Sequence, residues 1–308
     1  MSNTSGKIIL AGGSGFIGQA LTAAFLSAGY SVVVLSRQPG SVSGNRTLVQ
    51  WDGRTSGAWE QALNGASALI NLSGRSVNCP HTANNLLEIR DSRTGSVQAL
   101  AAAMARVNKP PQVWIQASAI GFYGDTGDRL NSETSPPGAD SLASVCQDWE
   151  GAFNAVQLPA TRRVILRLGF VLGRNGGALP ILMRMTRCFL GGAAGSGRQY
   201  VSWIHLADVV EAFAQAVQQP VFSGTYNVVA PEPATNRDFM RVLRQVLHRP
   251  WSPPAPALAV RWGARLMGSE GSLALVSQRC SAQKLLDAGF SFQFPRLDLA
   301  LEDLCRSI

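Results

Sequence analysis

Seven residues near the start of this 308-residue chain have types and spacing suited to a specific chemistry: Gly12-Gly13-Ser14-Gly15-Phe16-Ile17-Gly18. They follow the short apolar run Lys7-Ile8-Ile9-Leu10-Ala11, and Gln19 to Ala28 continue with helical character. The run reads as a buried first strand, which puts the glycines on a strand-to-helix turn. Such a turn needs residues without a Cβ, so that the backbone bends sharply and a pyrophosphate can approach the helix N-terminus. Free N–H groups and the positive end of the helix dipole receive the anion there. The spacing satisfies G-x-G-x-x-G from Gly13 and G-x-x-G-x-x-G from Gly12. A plain tight turn is the alternative in a Gly-rich chain, but the strand–loop–helix context favours a dinucleotide site.

Which dinucleotide is decided at the end of the next strand-like run, Tyr30 to Leu35, where Ser36 and Arg37 follow. An NAD site places a carboxylate about 20 residues past the glycines to hold the ribose 2′-OH, whereas an Arg suits a 2′-phosphate. The chain has no Asp or Glu before Asp52. NADP(H) is therefore the expected cofactor, with a solvated surface Arg as the other reading of Arg37. Asp52 follows a third strand-like run, Thr47–Trp51. It could accept a hydrogen bond from the adenine amino group or serve as an ordinary turn residue.

The elements that position these groups alternate along the first half of the chain. Ala68–Leu72 and Gln112–Ser118 read as strands around a long helix, Asn84–Arg106. A helix-like stretch around Ser144–Val156 leads to a further strand, Val164–Leu172. Alternation with crossovers of this length implies an α/β fold with a doubly wound parallel sheet. Gly/Arg-rich loops follow, then a helix Asp208–Gln218 and a strand Thr225–Val229 that return to the sheet. A Pro-rich segment, Pro250–Pro256, marks a boundary before a small helical remainder. The expected division is a dinucleotide-binding domain over 1–172, rejoined by 203–229. Residues 173–202 and 230–308 form a smaller substrate-side and C-terminal helical part.

Composition narrows the function further. A hydrophobic content of 46% and a mean hydropathy of +0.07 fit a globular chain, and no apolar run approaches the ~20 residues of a membrane span. The first strand begins by Lys7, leaving no room for a signal peptide. Five scattered cysteines without a C-x-x-C pair argue for a reducing compartment and against a disulfide framework or a zinc site. The cytoplasm is the expected location. Of 27 basic residues only Lys7, Lys109 and Lys284 are lysines, which leaves 24 arginines spread along the chain. The net charge of +8 thus lacks the clustering of a nucleic-acid footprint. A small molecule is the expected partner, neither nucleic acid nor membrane is, and a homodimer is compatible.

Several longer motifs then fall in a recognisable order: AGGSGFIG (Ala11–Gly18), INLSG (Ile70–Gly74), SAIGFYG (Ser118–Gly124), LRLGFVLG (Leu166–Gly173), SWIHLADVV (Ser202–Val210) and GTYNVVAPEP (Gly224–Pro233). In this order the chain resembles the extended short-chain dehydrogenase/reductases. More narrowly it resembles the branch called epimerase family proteins, sometimes labelled SulA-like division inhibitors. Trp149-Glu150, Gly176–Leu179, Gly195–Gln199 and the tail from Pro253 point there. The resemblance covers essentially the whole chain. It implies a Rossmann-type domain binding NADP(H), a substrate cleft under the C-terminal part, and an epimerase or reductase activity. It also implies that Leu72 and Ser73 lie against the adenine ribose and pyrophosphate, and that Glu88 and Arg93 sit on a helix facing the cofactor. Glu88, Arg90 and Arg93 could equally form a solvated helix face. Relatives tend to carry Glu where this chain has Arg75.

Short-chain dehydrogenases use a Tyr-x-x-x-Lys pair, whose i,i+4 spacing sets the ammonium beside the phenol. That charge lowers the phenol pKa and makes it a usable acid/base. Here Tyr30, Tyr123, Tyr200 and Tyr226 are followed four positions on by Val34, Gly127, Ile204 and Ala230. No Tyr-x-x-x-Lys exists. The aligned positions hold Cys146 and Glu150, and a carboxylate beside a thiol raises its pKa. Ser118, Tyr123 and Glu150 are the remaining candidates for catalysis. Ser118 could polarise a carbonyl or hydroxyl, Tyr123 could donate a proton, and Glu150 could act as a base. Each also has a structural alternative: a capped strand end, a packed ring, or an Arg-paired carboxylate. Arg167, Arg198 and His205 could bind an anionic substrate, although the apolar neighbours of His205 suit a core histidine. Two functions follow, an NADP(H)-dependent reductase or epimerase and a catalytically silent NADP-binding regulator.

Overall fold

The computed structural model describes residues 6–266, 268 and 270–306. In chain order the strands are β1 (Lys7–Ala11), β2 (Ser31–Ser36), β3 (Ser41–Ser43), β4 (Arg46–Gln50), β5 (Ala68–Asn71), β6 (Val113–Ala119) and β7 (Leu130–Asn131). They continue with β8 (Arg162–Leu168), β9 (Phe170–Leu172), β10 (Tyr200–Val201), β11 (Trp203–His205), β12 (Gly224–Val228), β13 (Ala234–Thr235) and β14 (Arg279–Cys280). Eight of them form one sheet in the order β12-β8-β6-β5-β1-β2-β4-β3. Every pairing in it is parallel except that of the edge strand β3 with β4. The order runs one way from β1 through β2 to β4 and the other way through β5 and β6. This reversal is the switch point at which open α/β sheets bind ligands.

The helices are α1 (Phe16–Ser27), α2 (Ala83–Arg106), α3 (Ser141–Asn154), α4 (Leu179–Arg187) and α5 (Leu206–Gln218), followed by α6 (Asn236–Val246), α7 (Ala257–Leu266), α8 (Gln283–Asp287) and α9 (Leu297–Cys305). Helix α1 packs with α5, and α2 with α3. Right-handed crossovers leaving β1 in opposite directions put these two pairs on opposite faces of the sheet. Ile8 to Ala11 are wholly buried, as the continuous apolar run of a strand covered on both faces requires. The fold is thus the doubly wound α/β sheet expected from the alternation of elements.

The stretch Val164–Leu172, expected to be one strand, is two. Gly169 crosses so close to the chain at Ser202 that a Cβ would stand 2.5 Å from the Ser202 carbonyl oxygen. There the backbone leaves the sheet, and β9 pairs in parallel with β11. Of residues 203–229, β12 joins the sheet beside β8 and α5 packs on α1, while β11 pairs, among the described residues, with β9 alone. A second apolar cluster joins Leu172, Met183 and Trp203 to Phe239, Leu243, Leu301 and Leu304. Two features tie the C-terminal segment back to the sheet side. β14 pairs with β7, and the buried Asp208 carboxylate accepts the N–H groups of Gln293 (2.6 Å) and Phe294 (3.1 Å). Among the described residues no helix is long and apolar enough to cross a membrane, and no His/Cys/Asp/Glu group could hold a metal ion.

Candidate functional site

The glycine turn divides its labour residue by residue. Gly12 has φ +76°, and a Cβ on it would lie 2.8 Å from the Ser73 amide nitrogen. Its own N–H donates to the Leu35 carbonyl (3.0 Å). Gly18 lets α1 rest on the turn, since a Cβ there would meet Gly13 Cα at 2.5 Å. Gly15 differs from both. A Cβ on it would meet only the Gly12 carbonyl, at 3.8 Å. It caps α1 without a side chain, and the first turn of α1 carries no acidic residue. Open space over an unshielded helix N-terminus is what a pyrophosphate needs. Ser14 is exposed, and its carbonyl accepts the Gln19 side-chain amide. Ile17 packs on the core. Phe16 has a packing role, because the Gly173 and Gly176 backbones close directly on its ring.

Beyond β2, Ser36 is buried and accepts the Gln38 N–H, and Arg37 is exposed without a side-chain partner among the described residues. Arg37 lines a cavity of about 520 Å³ with Trp51, Asp52, Thr55 and Trp59. The Trp51 and Trp59 rings lie 4.8 Å apart, and both indole N–H groups donate to the Thr55 carbonyl. Asp52 holds its own turn: its carboxylate accepts the Arg54 N–H, the Thr55 N–H and the Thr55 hydroxyl, each at 2.8 Å. Those hydrogen bonds, the Thr55 N–H first among them, hold its carboxyl below the ordinary range. An acid therefore shares the cavity with Arg37, although its charge is already satisfied by the turn.

At the end of β5, the Leu72 N–H donates to the Ala11 carbonyl and the Ser73 N–H to Asn71 Oδ1. Asn71 is itself anchored, donating to Ser96 Oγ (3.2 Å) and Gln116 Oε1 (3.0 Å). Glu88 is exposed and paired with Arg75. Arg93 stands over Trp149, 4.9 Å from the ring centroid, and burial draws its guanidinium pKa below the usual value.

The three catalytic candidates meet in one buried network centred on Arg167. Ser118, at the end of β6, donates to Glu150 Oε1 at 2.6 Å. Arg167 grips the same carboxylate with both arms of its fork, Nε to Oε1 at 2.8 Å and Nη2 to Oε2 at 2.7 Å. Its Nη1 donates to the Tyr123 hydroxyl at 2.8 Å, and that hydroxyl donates to Asn227 Oδ1 at 2.7 Å. The guanidinium also lies 3.6 Å from the Phe122 ring centroid. Burial pushes the Tyr123 phenol up to about 12, against the lowering effect of Arg167. Cys146 is buried and likewise pushed up to about 12, with Arg93 opposing and Glu150 assisting.

Arg167 is drawn into this network, whereas Arg198 is exposed on the loop before β10. His205 caps α5, its Nδ1 accepting the Ala207 N–H (3.0 Å), and its ring stacks on Phe294 at 3.9 Å. Three contributors did not stand out in the sequence: the Trp51–Trp59 wall, Asn71 and Asn227. A charged residue inside the apolar strand β8 was the available signal, because a guanidinium buried there needs a carboxylate or several hydrogen-bond acceptors around it.

Comparison with known proteins agrees with this geometry. The model of the NAD dependent epimerase/dehydratase family matches residues 8–229, and that of a domain of unknown function (DUF1731) matches residues 255–304. The chain is 33% identical over 306 residues to the epimerase family protein SDR39U1 of Bos taurus, covering 97% of this chain and 99% of that one. The crystal structure of human SDR39U1 with NADPH superposes with a TM-score of 0.88 at 30% identity, covering 98% of this chain and 100% of that one. A nucleoside-diphosphate sugar epimerase from Corynebacterium glutamicum superposes with a TM-score of 0.77 at 30% identity, over 97% of this chain and 58% of that one. The chain belongs to the NAD dependent epimerase/dehydratase family, in its epimerase family protein branch with the C-terminal domain of unknown function.

Proposed function

We propose that this protein binds NADP(H) and acts as an oxidoreductase or epimerase on a small, sugar-like substrate, at a carbon bearing a hydroxyl or carbonyl. One observation carries the cofactor: the open Gly15 position at the head of α1, with Arg37 free at the rim of the Trp51–Trp59 cavity. The NADPH in the human relative and the likeness to a nucleoside-diphosphate sugar epimerase support this reading. When bound, the nicotinamide would accept or supply the hydride.

Ser118 is the group oriented for the proton. Its own hydrogen points to Glu150, so its oxygen presents lone pairs to an incoming donor. A substrate hydroxyl can hand its proton to Ser118 Oγ while the Ser118 proton passes to Glu150. The Arg167 fork holds the Glu150 carboxylate in place behind Ser118.

The same network supports a second reading, a cofactor-binding regulator without turnover. Glu150 is neutralised by Arg167, and both the Tyr123 phenol and the Cys146 thiol are held near 12. Titrating NADPH and NADH against the wild type and Arg37→Ala tests the cofactor. NADPH is expected to bind at least about tenfold tighter than NADH, the lower end of what one charge-assisted contact contributes, and Arg37→Ala to erase most of that ratio. Equal affinities in the wild type would refute the assignment. NADP⁺ reduction across a panel of sugar alcohols then separates the readings, because a regulator gives no turnover above background.

A further inference from the structure

Large apolar side chains are left exposed unevenly over this molecule. Trp251, Leu258 and Trp262 are 67%, 68% and 68% exposed, while the other five tryptophans are buried. Phe189 and Leu190 are also more than half exposed. All five lie on two stretches of chain that run side by side. The Ala255 N–H donates to the Ala193 carbonyl (2.9 Å), and the Gly195 N–H to the Ala255 carbonyl (2.8 Å). Arg249 Nε donates to the Arg187 carbonyl (3.2 Å), and its guanidinium stands 5.3 Å from the Phe189 ring centroid. Phe189 has φ +60°, just past the end of α4, where glycine is the usual residue. An exposed aromatic ring is kept there against the preference of its backbone.

The same stretches are basic. Residues 184–190 and 249–265 contain Arg184, Arg187, Arg249, Arg261 and Arg265, and no Asp or Glu. On α7 the two characters share one face. Leu258, Arg261, Trp262 and Arg265 are all exposed, and at 3.6 residues per turn they fall within about 100° of arc. The other side of the helix is covered. Ala264 is buried, and a Cβ on Gly271 would stand 2.7 Å from Arg261 Cα and 3.2 Å from Ala264 Cβ.

Charge and shape select the occupant. A second copy would bring the same arginines together across a two-fold contact. Pro253, Pro254 and Pro256 offer no N–H, so this stretch cannot extend a partner's sheet. A partner's groove takes a helix by apolar anchors out to i+7, and seven positions on from Leu258 stands Arg265. A soft anionic plane fits all of these features. Indole rings settle at headgroup depth, and arginines reach headgroup phosphates along their own apolar stems. We propose that α7, with the adjoining Phe189, Leu190 and Trp251 side chains, docks reversibly on an anionic lipid surface with the helix lying flat on it. Among the described residues no helix is long and apolar enough to span a bilayer, and a helix resting on headgroups needs no such length. A membrane surface is thus a partner that composition did not suggest, because folding gathers arginines that the sequence spreads apart. Helix α7 falls in the stretch matched by the domain of unknown function, residues 255–304, and docking of this kind does not depend on the cofactor.

The test sediments the full chain with vesicles of phosphatidylcholine and phosphatidylglycerol mixed about three to one, and with phosphatidylcholine vesicles alone. Acrylamide quenching reports whether the exposed tryptophans become covered. Saturable binding to the anionic vesicles is expected, at least about tenfold tighter than to phosphatidylcholine, with the quenchable tryptophans protected in the bound state. Added NaCl should weaken it by screening. The paired variant Leu258→Ser, Trp262→Ser should lower the affinity about tenfold or more through lost apolar burial. The pair Arg261→Gln, Arg265→Gln should do the same through lost charge. These positions are exposed, so both pairs should melt with the wild type. If a helix variant does not fold, Trp251→Ser in the preceding loop decides, since its affinity should fall by about threefold. No saturable binding to the anionic vesicles overturns the proposal, and so does equal binding to both vesicle types or an unchanged affinity in either folded pair. A wild type that binds polyglutamate and leaves the vesicles in suspension would assign the surface to an acidic protein instead. A lipid-free dimer that Trp262→Ser disperses and vesicles do not would assign it to a second copy. Either result overturns lipid docking.

Discussion

At the scale of single residues, the position where a Tyr–Lys pair would stand is occupied by groups with the opposite electrostatics. The Cys146 thiol, buried beside Glu150, is held near 12 and is neutral at physiological pH. Cys146→Ser should therefore leave any NADP⁺-linked activity within about threefold of wild type, since an inactive thiol contributes little to proton transfer. Ser118→Ala removes the hydroxyl that donates to Glu150 and should lower kcat/KM by about 10²-fold. Measuring both variants on the best substrate found distinguishes serine from thiol. A collapse in Cys146→Ser with a nearly unchanged Ser118→Ala would make the thiol the acid/base. The sequence named all three members of this group, but it could not show their connection. Glu150 read either as a base or as an Arg-paired carboxylate, and the sequence did not show that its partner is Arg167, 17 positions on. Contacts across that separation depend on the register of β8 beside β6, which a linear pattern does not encode.

At the scale of elements, the strand–turn–helix unit was the most legible part, because each glycine answers a local steric demand. Gly15→Val should leave the protein folded and abolish NADPH binding, as the new side chain enters the open space over α1. An unchanged cofactor affinity in a folded Gly15→Val protein would move the site elsewhere. The break at Gly169 was not legible, since its cause is the backbone of Ser202, 33 positions away. Helix α5 offers a pH-dependent case. Its cap, His205, accepts a backbone N–H and so must be neutral at Nδ1. Burial lowers its pKa, with Asp303 pulling the other way. Below the ordinary histidine value of about 6.5 the unfolded chain then binds more protons than the folded one. The cap's stabilisation is present above that pH and is lost as pH falls toward the lowered folded value. Thermal melts should show the wild type losing Tm from pH 7 to pH 5 more steeply than His205→Asn, which can cap without titrating. Parallel curves would remove His205 as the cause.

At the scale of the whole molecule, the +8 charge has a structural use that composition could not reveal. Arg162 donates to the Val217 and Phe222 carbonyls, Arg163 to those of Phe153, Asn154 and Val156, Arg244 to Gly191, and Arg249 to Arg187. Several of these oxygens end helices, where a cation is favoured by the helix dipole. These four arginines fasten helix ends and loops. The Pro-rich stretch suggested a boundary, yet the C-terminal segment interlocks with the rest. Asp208 holds Gln293 and Phe294, β14 pairs with β7, and Leu301 is wholly buried with Trp203 and Phe239 in one cluster. Leu301→Ala should cost ~2–5 kcal/mol, the usual range for a core cavity. If the parts fold as one cooperative unit, urea curves followed by tryptophan fluorescence and by bound NADPH should shift together to lower denaturant. A variant whose NADPH-release curve stayed in place while the fluorescence curve moved would show that the C-terminal part unfolds separately, and the unity argued from Asp208, β14 and the shared cluster would fail.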